Sequence, residues 1–269
     1  MSFIDHLEAL RWHIVRSVFA VLVFAIAIFV NIDWIYDHII IGPTQSDFIS
    51  YRLFCALSHK LGMGDSLCMP PINMKLQVTE VSGTFMSSIT IAAVGGIVAA
   101  FPYLCWEIWR FVKPALKPEE LKHTRGIIFW VSLFFFIGAA FGYFMLAPFT
   151  FNFLYGYRLG TREMLEYKPM LSDYLDSLVD ITLGSGIAFE LPMASWVLAR
   201  IGLLTPGFLR TYRKYAYVAL LVLAAIITPS PDWGSQVIVC VPLILLYEIS
   251  IIIAARVNKK NDKKWEEWS

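Results

Sequence analysis

The sequence predicts an all-α polytopic membrane protein. Of its 269 residues, 58% are apolar and 16% are charged, whereas a soluble domain carries about 25% charged residues. The apolar residues are concentrated in six runs, and a helix needs roughly 20 mostly apolar residues to cross a bilayer. We therefore expect one six-span membrane domain over residues 1–256 and a charged tail at 257–269. The net charge of +1 gives no support to nucleic-acid binding.

The predicted spans follow from the apolar runs, taken in chain order. They cover about residues 14–35, 84–106, 126–149, 175–199, 215–227 and 236–255. An amphipathic helix leads into the first span, because Phe3, Leu7 and Leu10 recur at helical spacing. The fifth run is the shortest, so this span has to be thin or tilted. Five spans is the alternative count.

Basic residues indicate which ends of the spans face the cytoplasm. A six-span chain places sixteen of its 22 Lys and Arg residues on one side. They lie in the N-terminal segment, in the loops after spans two and four, and in the tail. This bias predicts that both termini are cytoplasmic and that the long loop 36–83 is extracytoplasmic. A five-span chain would move the tail across the membrane and remove much of the bias.

The extracytoplasmic loop contains Cys55 and Cys68, the two cysteines outside the apolar runs. In an oxidising compartment the pair can form a disulfide, and two free thiols are the alternative. Cys105 and Cys240 fall within predicted spans, where cysteine is most simply a small apolar side chain.

Patterns typical of enzymes are missing from the sequence. The five histidines lie in termini and loops, and none pairs with another at the helical spacing of a metal site. The GSG at 184–186 lacks the intramembrane histidine base that a serine protease needs. We therefore expect no catalysis, no metal and no cofactor.

Glu190 is the single ionisable residue between Ile181 and Ala199. An acidic residue at the middle of a span costs about 2.5–3.5 kcal/mol on insertion scales. Pro192 removes a hydrogen bond to the carbonyl of Ala188 and kinks the helix. The site should therefore face a cavity, a partner or a polar path. The alternative is a Glu190 that bonds to a neighbouring helix for structural reasons only.

Two further polar groups lie at the ends of predicted spans. Thr228, Asp232 and Gln236 surround the turn between spans five and six. On the cytoplasmic side, the polar face of the first helix carries Glu8 and Arg11, and the loop after span two carries Glu119 and Glu120. These carboxylates can receive a cationic partner. Alternatively, the two loop glutamates open a short helix at the favourable end of its dipole.

Five motifs, in order along nearly the whole chain, resemble the TatC family, the multispan core of the twin-arginine protein translocase. The first is SFIDHLEALR, which resembles the family's N-terminal HLEELR signature. The later spans resemble it in FPYLCWEIWRFVKPALKPEE, FGYFMLAPFTFNFL, GIAFELP and RKYAYVALLVLAAIITPSPDWGSQVIVCVPLILLYEISI. The resemblance implies a concave, glove-like bundle with short fifth and sixth spans, in a bacterial cytoplasmic membrane.

The same resemblance implies a receptor for signal peptides that carry paired arginines on folded cargo proteins. Single-span TatA and TatB subunits would be its partners, several copies would assemble within the complex, and the proton-motive force would supply the energy. The family's intramembrane glutamate falls on Glu190, and its polar docking cluster for partners falls on Thr228 and Gln236.

One of the family's two cytoplasmic carboxylates is replaced in this chain. The carboxylate in the loop after span two falls on Glu120, whereas the second glutamate of HLEELR falls on Ala9. Glu8 precedes that position by one residue, which is about 100° around a helix. Either Glu8, Glu107 or Glu119 shares the binding of the arginine pair, or Glu120 acts alone.

Two other functions compete with the translocase. A small secondary transporter would use Glu190 as an intramembrane proton or cation relay, but it predicts internal repeats. The sequence has no second segment like GIAFELP. A scaffold that only assembles single-span partners would share the fold but would not need the acidic cytoplasmic site.

Overall fold

The computed structural model describes residues 3–45, 47–60, 74–113, 126–156, 168–200, 204–228 and 233–266, with single positions at 62, 64, 68 and 202. These ranges contain helices and no β-strand. Their α-helices are α1 (Phe3–Val30), α2 (Ile32–Ile35), α3 (Ile49–Lys60), α4 (Gly83–Val112), α5 (Ile127–Phe141), α6 (Ala147–Gly156), α7 (Leu171–Ala188), α8 (Leu191–Arg200), α9 (Pro206–Thr211), α10 (Arg213–Ile227) and α11 (Trp233–Glu266). Short π-helices cover Tyr36–Ile40 and Gly142–Leu146.

Within the described residues, five helical stretches are long and apolar enough to cross a membrane. They are Glu8–Val30, Gly83–Val112, Ile127–Gly156, Leu171–Arg200 and Gln236–Asn258. The all-α polytopic prediction is confirmed. The count of six stays a prediction that depends on α10, whose 15 residues extend over about 22 Å. That length is shorter than the roughly 30 Å of hydrocarbon in a typical bilayer.

The first and last helices extend beyond the apolar runs that predict them. α1 begins at Phe3, so the amphipathic segment and the first span form one continuous helix. α11 runs on to Glu266, so most of the predicted charged tail is helical. A helix needs only backbone hydrogen bonds and residues of adequate helix propensity, whether or not those residues are apolar. The apolar pattern therefore marks the membrane crossing but not the helix ends.

Small residues let α1 and α4 approach each other closely. A Cβ atom at Gly96 of α4 would lie 2.9 Å from the backbone nitrogen of Ala25 in α1. At the neighbouring Gly95, a Cβ atom would lie 2.8 Å from Cδ1 of Ile28. Small residues at helix contacts are how membrane helices gain packing without a hydrophobic driving force. These glycines therefore hold α1 along α4.

A second close contact joins α5 to α7. Cβ atoms at Gly138 and Gly142 would lie 2.6 Å and 2.7 Å from the carbonyl oxygens of Ser185 and Ile181 respectively. Because those neighbours are backbone atoms, no side chain can rotate away to make room. The helix that precedes Glu190 is therefore held against α5 at backbone distance.

The fourth apolar stretch is divided into two helices at Glu190. α7 ends at Ala188 and α8 begins at Leu191, so Glu190 lies in the two-residue turn between them. Its amide donates to the carbonyl of Ile187 over 3.0 Å, and its carbonyl accepts from Ala194 over 2.8 Å. The sequence predicts a kink caused by Pro192, and the structure has a break instead. Pro192 lies in the first turn of α8, where a missing N–H is tolerated.

Two tyrosines attach the loop after α2 to later helices. The Tyr143 hydroxyl donates to the carbonyl of Ile39 over 2.5 Å, and the Tyr174 hydroxyl donates to the carbonyl of Ile40 over 2.6 Å. These bonds supply partners to carbonyls at the end of a π-helix, where regular hydrogen bonding stops. The start of the loop 36–83 is therefore fastened to the body of the bundle.

Candidate functional site

A buried carboxylate joins α1 to α4 at the end that the charge bias assigns to the cytoplasm. Glu107 of α4 is only 1% exposed. Its Oε2 accepts a hydrogen bond from Nδ1 of His13 in α1. Its Oε1 accepts from the Tyr103 hydroxyl over 3.0 Å and lies 3.4 Å from Nη1 of Arg110. The carboxylate therefore has partners on both oxygens and on both helices.

This geometry does not favour the expectation that Glu107 shares in binding an arginine pair, which stays a prediction. A receptor carboxylate has to be open to its ligand, whereas the Glu107 side chain is buried and already bonded. Releasing it would leave a buried charge without partners, which is costly. In this structure the Glu107 carboxylate links α4 to α1 through His13.

The structure describes some of the remaining cytoplasmic candidates for signal-peptide binding and not others. Glu8 and Arg11 lie on the first turns of α1, and both side chains are exposed. Glu119 and Glu120 lie outside the described residues. The chain leaves α4 after Val112, within two turns of the carboxylate that contacts α1. The loop that carries Glu119 and Glu120 therefore follows the end of α4 that contacts His13 of α1.

Glu190 has a carboxylate oxygen that none of the described residues bonds. Its Oε1 atom is buried, and no described residue hydrogen-bonds to it. The carboxylate interacts with the backbone of Phe135 in α5 and electrostatically with Cys105 in α4. Buried hydroxyls that also lack a partner among the described residues occur on α5 and α7; they belong to Ser132, Thr182 and Ser185. Polar atoms thus accumulate on the helices next to the break.

The polar residues between α10 and α11 form local contacts. Thr228 is buried, and its hydroxyl donates to the carbonyl of Ala224 over 2.9 Å. Gln236 of α11 donates from Nε2 to the carbonyl of Leu221 in α10 over 3.4 Å. Asp232 lies outside the described residues. The Gln236 bond joins α11 to α10, whereas the Thr228 bond is local to the C-terminal end of α10.

A carboxylate that sequence reasoning passed over lies in α11. Glu248 accepts hydrogen bonds from Nη2 of Arg213 over 2.8 Å and from the Tyr217 hydroxyl over 2.5 Å. Both donors belong to α10. A signal for it was present, since Glu248 is the only Asp, Glu, Lys, Arg or His residue within 236–255. An intramembrane acid normally has a partner, and here the partner is the short helix.

The chain matches known proteins over most of its length. The family model of the Sec-independent protein translocase protein TatC matches residues 5–242. A TatC protein of Blattabacterium sp. subsp. Periplaneta americana is 39% identical in an alignment of 267 positions that covers 97% of this chain and 97% of that protein. A TatC protein of Carboxydothermus hydrogenoformans is 30% identical over 97% of this chain and 95% of its own length.

Solved structures show the same similarity at the level of the fold. A crystal structure of the twin arginine translocase receptor TatC in the detergent DDM matches with a TM-score of 0.73 and 28% identity, over 93% of this chain and 99% of that one. A second crystal structure of the receptor matches with a TM-score of 0.67, also at 28% identity. By sequence and by fold, this chain belongs to the TatC family of Sec-independent protein translocase proteins.

Proposed function

We propose that this chain is the receptor and core subunit of a twin-arginine translocase, and that it binds the paired arginines of signal peptides on folded proteins. TatA and TatB are the single-span partners, several copies assemble in the complex, and the proton-motive force drives export. The chain itself is a multi-pass component of a protein translocase in the inner membrane. Membership of a transport family argues against an enzyme.

The contact between His13 and Glu107 carries the proposal for the receptor site. It joins the start of α1 to the end of α4. Glu8 lies five residues before His13, and Glu120 lies thirteen residues after Glu107. The two acidic segments that the family resemblance assigns to arginine binding therefore start from one joint. A peptide bound at that joint can reach both segments.

Arginine suits such a site better than lysine. Its planar guanidinium makes bidentate, charge-assisted hydrogen bonds to a carboxylate, whereas the lysine ammonium acts as a point charge. Two adjacent arginines can engage two carboxylates on neighbouring segments. In this chain we assign the main contact to Glu120 and a secondary contact to Glu8, because alanine occupies position 9.

The test is site-specific cross-linking of a twin-arginine signal peptide to the intact protein in membranes. We expect Glu120→Ala to abolish the cross-link, since a hydrogen bond to a charged group contributes about 1.5–3 kcal/mol, or roughly 10- to 100-fold in affinity. Glu8→Ala should weaken the cross-link less. Glu80→Ala is the matched control, because Glu80 is an exposed acid on the opposite predicted face.

Membrane insertion of each variant should equal that of the unmodified chain. Unchanged cross-linking and export with Glu120→Ala would contradict the assignment. In that case a role as a scaffold for single-span partners would explain the fold without a receptor site. The comparisons do not favour the small secondary transporter, because the matched proteins are protein translocase components.

A further inference from the structure

Three potential metal ligands meet at the end of α3 in the extracytoplasmic loop. They are Cys55, His59 and Cys68, and their ligand atoms all lie within 4.8 Å of one another. Nε2 of His59 lies 3.6 Å from Sγ of Cys55 and 3.8 Å from Sγ of Cys68. Among the described residues, no other group of His, Cys, Asp and Glu side chains meets in this way.

The helix supplies two of these ligands in register. Cys55 and His59 are four residues apart on α3, so both project from one face. The same spacing puts two ligands of one metal ion side by side in helical zinc sites. A search for two histidines at helical spacing finds no metal site in this chain. It passes over α3, because the ligand paired with His59 on that helix is a cysteine.

The loop after α3 returns the third ligand to the helix. Gly62 and Gly64 have φ angles of 70° and 59°, a left-handed conformation that glycine adopts without strain. The Ser58 hydroxyl donates to the carbonyl of Gly64 over 2.6 Å, which ties the turn to α3. Cys68 is thereby brought back against His59.

We propose that the reduced form of this cluster binds Zn²⁺ through the thiolates of Cys55 and Cys68 and through Nε2 of His59. Two thiolates and an imidazole are ligands that zinc accepts in tetrahedral sites, and three protein ligands leave a fourth position for water. Soft thiolates also select against Mg²⁺ and Ca²⁺. His59 is exposed, so the ion can enter from solvent.

The structure itself holds the oxidised form, in which Cys55 and Cys68 are joined by a disulfide. Metal binding first requires a dithiol reductant. The dithiol gives two electrons and two protons to the disulfide, which becomes two thiols, while the dithiol becomes a disulfide. Zn²⁺ then displaces the two thiol protons. The disulfide and the zinc complex are therefore mutually exclusive states of one site.

The test is Zn²⁺ titration of the purified full chain in detergent, in competition with a chromogenic chelator. A Cys105→Ser/Cys240→Ser background removes the other two thiols. After reduction and removal of the reductant, we expect one Zn²⁺ per chain and two protons released into weakly buffered solution. The oxidised chain should bind none.

Single substitutions test whether zinc binding depends on the proposed ligands or on neighbouring residues. Cys68→Ser should abolish binding, and His59→Ala should weaken it by more than the about 10- to 100-fold that loss of an outer-shell partner costs. His38→Ala is the matched control, since His38 is another exposed histidine of the same loop and should change nothing.

Circular dichroism and size-exclusion chromatography report whether each sample keeps its fold. A reduced chain that retains its helix content but binds no Zn²⁺ would overturn the proposal. So would equal binding by the Cys55→Ser/Cys68→Ser variant. A chain that unfolds on reduction would show that the cysteines serve only as a structural disulfide, which also rejects a zinc site.

Discussion

Three acidic side chains lie within apolar stretches of the chain, and their hydrogen-bond partners differ. They belong to Glu107, Glu190 and Glu248. Glu107 accepts hydrogen bonds from a histidine and a tyrosine, and Glu248 accepts them from an arginine and a tyrosine. Those two carboxylates join neighbouring helices. Glu190 keeps a buried oxygen to which no described residue bonds. An acid within a membrane is expected to have a partner or a function, so of the three we expect Glu190 to contact a ligand or a partner.

At Glu107 we expect a loss of stability rather than of recognition. Glu107→Ala leaves His13 and Tyr103 without their shared acceptor, and breaking a buried pair costs about 3–5 kcal/mol. A double-mutant cycle with His13→Ala, measured by thermal unfolding in detergent, should give a coupling energy of about 0.5–3 kcal/mol. Additive effects would show that the pair does not join α1 to α4. Glu107→Gln, which keeps a hydrogen-bonding group, should retain signal-peptide cross-linking.

At Glu190 we expect glutamine to be tolerated better than alanine. An amide can still donate and accept hydrogen bonds at the break between α7 and α8, whereas alanine leaves no polar group for an inserted peptide or partner. Loss of one hydrogen bond to a charged group, about 1.5–3 kcal/mol, should reduce export by tenfold or more. The measurement is export of a folded twin-arginine reporter in cells that lack their own TatC protein. Equal export with Glu190→Ala and with the unmodified chain would make Glu190 a structural residue.

Glycine-mediated contacts hold the long helices together. α1 meets α4 at Gly95 and Gly96, and α5 meets α7 at Gly138. At such contacts the neighbouring helix leaves no room for a side chain. The break in the fourth apolar stretch is a feature of the same interface, because the Cβ atom of Phe189, the residue that follows α7, lies 2.6 Å from the position of a Cβ atom at Gly138. The position of Glu190 is therefore set by helix packing as well as by Pro192.

Gly138→Ala tests this contact. In an open helix the change gains about 1 kcal/mol of propensity. Here the added Cβ would lie 2.6 Å from Ser185 O and from Cβ of Phe189, and overpacking costs about 1–3 kcal/mol. We therefore expect a lower thermal midpoint in detergent. Gly156→Ala, where nothing lies within 4 Å, is the control, and a midpoint unchanged by Gly138→Ala would contradict the packing argument.

At the scale of the whole molecule, the number of crossings decides where the tail lies. In the part of the chain that the structure describes, five helical stretches are long enough to span the membrane. α10 has only 15 residues and is too short by this criterion. Its bonds to Glu248 of α11 through Arg213 and Tyr217 pack it beside a long span. A short helix can cross if the bilayer thins around it. The bias of basic residues favours that crossing, since it keeps the tail on the positive side.

Reporter fusions distinguish six crossings from five. A fluorescent protein fused after Ser269 should fluoresce, because it folds in the cytoplasm, and alkaline phosphatase at the same place should be inactive. A phosphatase fused within the loop 36–83 should be active and serves as the control for the opposite side. An active phosphatase after Ser269 would mean that α10 does not cross the membrane.

Several features follow from composition and short-range pattern. Apolar runs predict the long helices because the hydrocarbon core imposes a minimum length, and Glu190 stands out because charge is rare in such runs. The order of the short motifs along the chain identifies the family. Other features depend on distant residues. Nothing near Glu107 in the sequence indicates His13, which lies 94 residues earlier, and the spacing of Cys55 and His59 on α3 does not indicate that the Cys68 sulfur lies beside them.

The sequence by itself determined the helical class, the membrane location, the family and the isolation of Glu190, because these depend on local hydrophobicity and on the order of motifs. Only the tertiary structure decided that Glu107 is a buried link, that α7 and α8 are separate helices, and that Glu248 bonds to α10. The physical reason is that hydrogen bonds and close packing depend on which distant helices meet. Burial then determines whether a carboxylate joins helices or remains open to a ligand.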